Sequence, residues 1–189
     1  MHSELRESAA GIVAAAARGD QAAWNQLVKR HSGLLWAVAR AHRLQGADAA
    51  DVVQTTWLRL VEHLPEIRNP DGLGAWLATT ARRESLRILR RGARCEPVDE
   101  IVAVADPAEL DARLLRAERH VAVVRAFARL PARDQALLRV LTLDPPPSYE
   151  EISAALSMPI GSIGPTRGRA LERLRRELDV AGAIDTAQE

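Results

Sequence analysis

The sequence predicts an all-α fold, with two small helical domains joined by an acidic flexible linker, and three observations predict it. Aromatic residues make up 3% of a 189-residue chain that is 47% hydrophobic, so any core is packed through Leu, Ala and Val, the material of helical stripes and not of aromatic, β-branched sheets. Apolar residues recur at steps of three and four along most of the chain. The charge also changes sign midway: residues 75–94 carry six Arg against Glu84, whereas residues 95–118 carry seven acids against Arg113 and Arg116. A chain of this length holds one large domain or two small ones. The charge switch favours two, divided as residues 1–94, a linker 95–110, residues 111–180 and a tail 181–189.

In the first domain, Trp24, Leu27, Val28, Leu34, Leu35 and Val38 outline a helix with one buried face. A break at Gly46-Ala47 follows, and Asp48 is placed to cap a second helix that turns Val53, Trp57, Leu60, Val61 and Leu64 inward and stops at Pro65. Residues 65–74 contain Pro65, Asn69, Pro70, Asp71, Gly72 and Gly74, which reads as an ordered loop. A third helix runs from about Ala75 to Arg91. It buries Trp76, Leu77, Thr80, Ala81 and Ile88, while Arg83, Arg87, Arg90 and Arg94 form another stripe.

The stretch from Glu96 to Leu110 carries Pro97 and Pro107 and loses helical periodicity, which marks the linker. Beyond it, one helix carries Leu114, Leu115, Val121, Val124, Ala128 and Leu130. Another begins at Leu130-Pro131, buries Ala136, Leu137, Val140 and Leu141, and ends before Pro145-Pro146-Pro147. Ser148 stands three residues before Glu151, a capping box that opens a short helix with Ile152, Ala155 and Leu156 inward. After a turn from Ser157 to Gly161, Ser162 is the expected cap of a long final helix, with Pro165 in its first turn.

That final helix is basic: residues 162–176 hold five Arg against Glu172, opposite an inward stripe of Ile163, Ala170, Leu171 and Leu174. Two short helices joined by a tight turn, the second basic, form a helix-turn-helix whose second helix enters the major groove of DNA. Gly164 and Gly168 lower helix propensity, so close approach of a DNA phosphate or a neighbouring helix is expected there. Overall charge is only +1, yet Lys29 is the sole lysine among 26 basic residues. The basic side chains are therefore nearly all planar forks suited to phosphates and guanine edges.

Other functions find little support. No phosphate-cradling Gly loop or nucleophile elbow is present, so no catalytic residue, no cofactor and no enzyme activity is expected. His2, His31, His42, His63 and His120 form no i, i+4 pair, and no metal site is expected. Cys95 is alone, which rules out an intramolecular disulfide, and no apolar run of about 18 residues exists. A cytoplasmic protein with no membrane partner is the expectation.

Several segments together resemble the extracytoplasmic-function sigma factors, members of the sigma-70 family of bacterial RNA polymerase, and the likeness runs from Gly19 to Leu178. Residues Asp48-Ala49-Ala50-Asp51-Val52-Val53-Gln54-Thr55-Thr56-Trp57 are similar to the family helix that docks on the beta-prime clamp of the polymerase core. The resemblance implies that Asp48, Asp51, Gln54 and Trp57 contact core enzyme. Trp76-Leu77-Ala78-Thr79-Thr80-Ala81-Arg82-Arg83 is similar to the helix facing the minus-ten promoter element, and residues 65–74 to its base-capturing loop. Arg68, Asn69, Arg82, Arg83, Arg87, Arg90 and Arg91 are the implied minus-ten contacts.

The second domain resembles the family's minus-thirty-five reader through Leu130-Pro131-Ala132-Arg133-Asp134, Ser148-Tyr149-Glu150-Glu151-Ile152 and Gly161-Ser162-Ile163-Gly164-Pro165-Thr166-Arg167-Gly168-Arg169. Ser162, Gly164, Pro165, Arg167, Arg169 and Arg173 are the implied contacts. The implied partners are core RNA polymerase, through its beta-prime clamp and beta subunits, promoter DNA, and an anti-sigma factor as a candidate regulator. The chain departs from the family in carrying Arg83 and Arg87 where Asn and Asp are frequent, and Ala50 where Glu is frequent. The alternative reading is a free-standing helix-turn-helix repressor that does not bind RNA polymerase.

Overall fold

The computed structural model describes residues 8–92 and 121–180, and every regular element among them is helical. The linker 95–110, Cys95, Arg94, Leu114 and Leu115 and the tail 181–189 lie outside the described residues. Helix α1 spans Ala9–Ala17, capped by Ser8, whose Oγ accepts a hydrogen bond from Gly11 N at 3.1 Å. Its Ala-rich sequence lacks a clear apolar period, but Val13 and Ala16 are buried and the Trp24 indole N–H donates to Ala16 O at 3.0 Å. Helix α2 spans Gln21–Ala41 and is capped by the Asp20 carboxylate, which accepts from Ala22 N and Ala23 N. The helix therefore begins before, and ends after, the apolar stripe that announced it.

Helix α3 spans Gly46–His63. Gln45 occupies its cap position without a side-chain hydrogen bond, and Asp48, the expected cap, is instead in the first turn. There its charge still complements the positive end of the helix dipole. Two single 3₁₀ turns follow, Leu64–Glu66 and Pro70–Gly72, and helix α4 spans Leu73–Gly92. The described part of the second half opens with helix α5 at residues 121–129. It continues through α6 (Ala132–Leu141), α7 (Tyr149–Leu156) and α8 (Ile160–Val180).

Helices α2, α3 and α4 pack on one another around Leu35, Val38, Val52, Leu60 and Leu77, all fully buried. Leu171, expected inward on the final helix, is 43% exposed, and two residues expected in this three-helix core are not in it: Val28 is 41% and Val61 57% exposed. Each valine follows a buried Leu, and a one-residue step turns a side chain about 100° around a helix of 3.6 residues per turn, off the buried stripe.

The second half does not stand apart. Helix α7 packs along α4 and α6 packs on α2, so Leu137, Val140, Ile152, Ala155, Met158 and Ile163 belong to the same buried cluster as Leu35, Val38 and Leu77. A small satellite of Leu130, Leu138 and Ala170 joins α6 to α8, with Phe127 and Leu174 against it. At the α4–α7 crossing, Gly74 is buried against Glu151, where a methyl group would overlap the carboxylate. That carboxylate is held by the expected capping box: Glu151 Oε2 accepts from Ser148 N at 2.6 Å, and Ser148 Oγ accepts from Glu151 N at 3.2 Å. His31 Nδ1 lies 3.8 Å from Glu151 Oε1. Burial, with the nearby Arg30 charge, pushes its pKa down to about 4, so at neutral pH the imidazole is uncharged and the contact is not an ion pair.

Candidate nucleic-acid interface and docking face

The end of α3, the two 3₁₀ turns and the first half of α4 enclose an open cleft of about 580 Å³. Proline placement creates it. Pro65 and Pro70 each open a short turn, and Asn69 Oδ1 accepts from Gly72 N at 3.4 Å, so the chain reverses within a few residues and leaves a gap between two helices. Arg68, Asn69 and Arg83, all expected at the minus-ten site, line this cleft together with Arg59, His63 and Trp76. The Trp76 and His63 rings meet edge to face, with centroids 6.2 Å apart. A wall of aromatic edges and guanidinium groups suits an unpaired base and its phosphate.

The other arginines of α4 divide by face. Arg90 and Arg91 are exposed. Arg87 donates through Nε to Glu84, whose other oxygen lies 2.6 Å from Arg59 Nη2 in a salt bridge. Arg82 stands apart from the cleft: it is half-buried, and its Nε is buried with no hydrogen-bond partner among the described residues. Its charge, second to burial, lowers the pKa of His42. A one-residue step from Arg83 carries Arg82 around the helix, away from the open side.

Helix α8 presents the second basic surface. It begins at Ile160, so Ser162 is its third residue and not its cap; the Ser162 hydroxyl donates to Pro159 O at 2.7 Å. Pro165 accordingly lies in the second turn, where it removes the hydrogen bond that Gly161 O would otherwise accept. Gly161, Gly164, Pro165, Arg167, Gly168 and Arg169 are exposed and Ser162 is half-buried. Arg169 Nη2 donates to Thr166 Oγ1 at 3.2 Å. Arg173 is engaged: its Nη1 pairs with Asp134 of α6, whose side chain is buried.

No atom of the described residues lies within 4 Å of where a Cβ would stand on Gly164 or Gly168, so no neighbouring helix among them is the reason for either glycine. The remaining expectation is a phosphate drawn close to the bare backbone. Gly164→Ala and Gly168→Ala should then raise folding stability by roughly 0.5–1 kcal/mol through helix propensity while weakening binding to promoter DNA. Thermal melts and DNA titrations of the two variants check this; a gain in both stability and affinity would contradict it.

Along α3 a third surface is exposed. Asp48, Asp51 and Gln54 point to solvent, and Trp57 is half-buried at the edge of the core. The stripe continues with Leu58 and Val61, 56% and 57% exposed, at steps of four and three from Gln54. Those two apolar residues were not legible as surface, because side-by-side leucines and valines give no sign of which faces out. Among the described residues no group of three His, Cys, Asp or Glu side chains is placed to hold a metal ion, and no helix is long and apolar enough to cross a membrane.

Residues 27–95 match the family model for sigma-70 region 2. The chain is 28% identical to the ECF RNA polymerase sigma factor SigM of Mycobacterium tuberculosis over 173 residues, 90% of this chain and 85% of that protein. It is 26% identical to the ECF RNA polymerase sigma-E factor of Escherichia coli K12 over 171 residues, 83% of this chain and 87% of that protein. Among solved structures, CnrH in complex with the cytosolic domain of CnrY matches with a TM-score of 0.54 at 26% identity, covering 89% of this chain and 96% of that one. The sigma factor RpoE of Bartonella quintana, in complex with the anti-sigma factor NepR, shares the fold with a TM-score of 0.57 at 23% identity, covering 83% and 97%. Residues 27–95 thus match sigma-70 region 2, and over most of its length the chain is similar to extracytoplasmic-function sigma factors.

Proposed function

We propose that this chain binds core RNA polymerase, recognises the minus-thirty-five and minus-ten promoter elements and promotes DNA melting at the start of transcription. The observation that carries the reading is the meeting of Arg68, Asn69, Arg83 and Trp76 around one cleft inside the segment that matches sigma-70 region 2. A free-standing repressor has no use for that segment.

In this reading residues 1–94 bind core enzyme and the minus-ten element, residues 95–110 form the linker, and residues 111–180 read the minus-thirty-five element. Asp48, Asp51, Gln54 and Trp57, extended by Leu58 and Val61, dock α3 on the beta-prime clamp. Such a face pairs a charged end with an apolar end, a common form of helix recognition. The cleft takes a base turned out of the non-template strand, with Arg90 and Arg91 on the flanking phosphates. Melting is then driven by binding energy for the unpaired strand and needs no covalent chemistry. Ser162, Gly164, Pro165, Arg167 and Arg169 approach the major groove, where phosphate contacts set register and base contacts set specificity. An anti-sigma factor that covers these surfaces is the candidate regulator, and action on the polymerase places the chain in the cytoplasm.

The docking assignment is tested with Asp51→Ala. Asp51 is exposed on α3, so the variant should melt like the parent chain yet lose roughly 1 kcal/mol or more of affinity for core enzyme in a competition with another sigma factor. Undiminished competition would overturn the assignment.

A further inference from the structure

We propose that Arg59 contacts a phosphate of the unpaired DNA strand, and that the buried carboxylate of Glu84 is the positioning group that holds it ready; the inference rests on reading the cleft as the minus-ten site. Glu84 sits on α4 among arginines and looks at first like a lone acid diluting a basic face. Instead its side chain is 4% exposed and is turned toward α3. Its two oxygens are used separately. Oε1 forms a salt bridge with Arg59 Nη2, which comes from α3, at 2.6 Å, while Oε2 accepts from Arg87 Nε one turn along α4.

A buried carboxylate with two guanidinium partners is well compensated, but an apolar residue could join two helices equally well. Its particular effect is on the arginines. Arg59 is 47% exposed at the wall of the cleft, and it meets Glu84 through Nη2 alone of the three nitrogens of its guanidinium, which carries five N–H groups. The remaining donors are left for an anion, on a side chain whose rotamer freedom has already been restricted. An arginine fixed in advance loses less freedom when it binds. Arg68 and Arg83 line the same cleft, so a phosphate there meets several positive groups, of which Arg59 is tied to a second helix.

The charge balance makes the idea testable with a definite sign. Removing the negative charge of Glu84 should, by charge alone, tighten the binding of an anion; removing a positioning group should weaken it. The probe is a fluorescein-labelled, random-sequence single-stranded DNA oligonucleotide, titrated with the full chain by anisotropy over a range of salt concentrations. Arg59→Ala should flatten the plot of log affinity against log salt by about 0.7, the value of one phosphate contact on a single strand. Arg59→Lys, which keeps the charge, should largely restore the slope. Glu84→Gln should bind roughly 2- to 10-fold more weakly at fixed salt with a helical circular dichroism spectrum like that of the parent.

An unchanged slope for Arg59→Ala, or tighter binding by Glu84→Gln, would overturn the proposal while leaving the cleft as a strand-binding site. If Glu84→Gln does not fold, the Arg59→Ala slope decides alone. A parent chain that does not bind the oligonucleotide overturns both this proposal and the reading of the cleft on which it rests.

Discussion

Arg173→Ala is expected to lower folding stability by about 3 kcal/mol, in addition to any loss of promoter binding. Arg173 reaches from α8 to Asp134 in the first turn of α6, and the Asp134 side chain is only 5% exposed. Removing one partner of a buried pair leaves a carboxylate without compensation, typically at a cost of roughly 3–5 kcal/mol. Arg173 itself is 43% exposed, so water can approach from its side, which puts the loss at the lower end. Arg169 provides the contrast. It is exposed, and among the described residues its one partner is a Thr166 hydroxyl, so Arg169→Ala should leave the denaturation curve unmoved and cost roughly 1–3 kcal/mol in minus-thirty-five binding. Urea denaturation separates the two, and superimposable curves for both variants would contradict the structural role of Arg173.

Ile152→Ala is expected to cost roughly 2–5 kcal/mol, as for other buried aliphatic truncations, and to weaken both halves of the molecule together. Ile152 is fully buried in the cluster that also contains Leu77 of α4 and Val38 of α2. The protein supplies its own reporter. Trp24, Trp36, Trp57 and Trp76 all lie in the first half and pack against that cluster, so tryptophan fluorescence follows the first half alone. With one shared core, truncating Ile152 in the second half shifts the fluorescence transition to lower denaturant, in step with circular dichroism. A fluorescence midpoint that stays in place while part of the helical signal melts early would mean that the halves fold independently.

The fold class and the order of the helices from α2 onward were legible, though α1 was not, because each of those helices buries an aliphatic stripe and several boundaries have a chemical mark: Pro65 after α3, Pro131 before α6, and the Ser148–Glu151 box before α7. What failed has physical reasons. Asp48 and Ser162 are good capping residues, but their helices begin before them, at Gly46 and Ile160, and a side chain's capacity to accept a hydrogen bond does not say where the backbone leaves the helix. The packing of α7 on α4 was not visible, since a short amphipathic helix carries no sign of which neighbour it will bury against. Gly74 was its clearest trace: it removes a side chain where Glu151 approaches, although in the sequence it reads as one more loop residue.

The candidate surfaces were legible to different degrees. Arg68, Asn69 and Arg83 were expected at one site and meet at one cleft. Arg59, His63 and Glu84 were missed, because Arg59 and His63 lie on the helix assigned to docking and Glu84 looked like an interruption of a basic stripe. Arg173 was singled out as a DNA contact on charge, yet its pairing with Asp134, 39 residues earlier, can be seen only once α6 and α8 are in place. Charge pattern locates a basic face; it does not separate arginines that reach outward from those that hold the helices together.

Run-off transcription tests the central claim most directly, with bacterial core RNA polymerase and a library of genomic fragments as template, in the presence and absence of this chain. The account predicts discrete start sites that depend on the protein, preceded by a common pair of sequence elements. DNA binding by the chain without any stimulation of core enzyme would contradict it, and would return the helix-turn-helix to the role of a free-standing repressor.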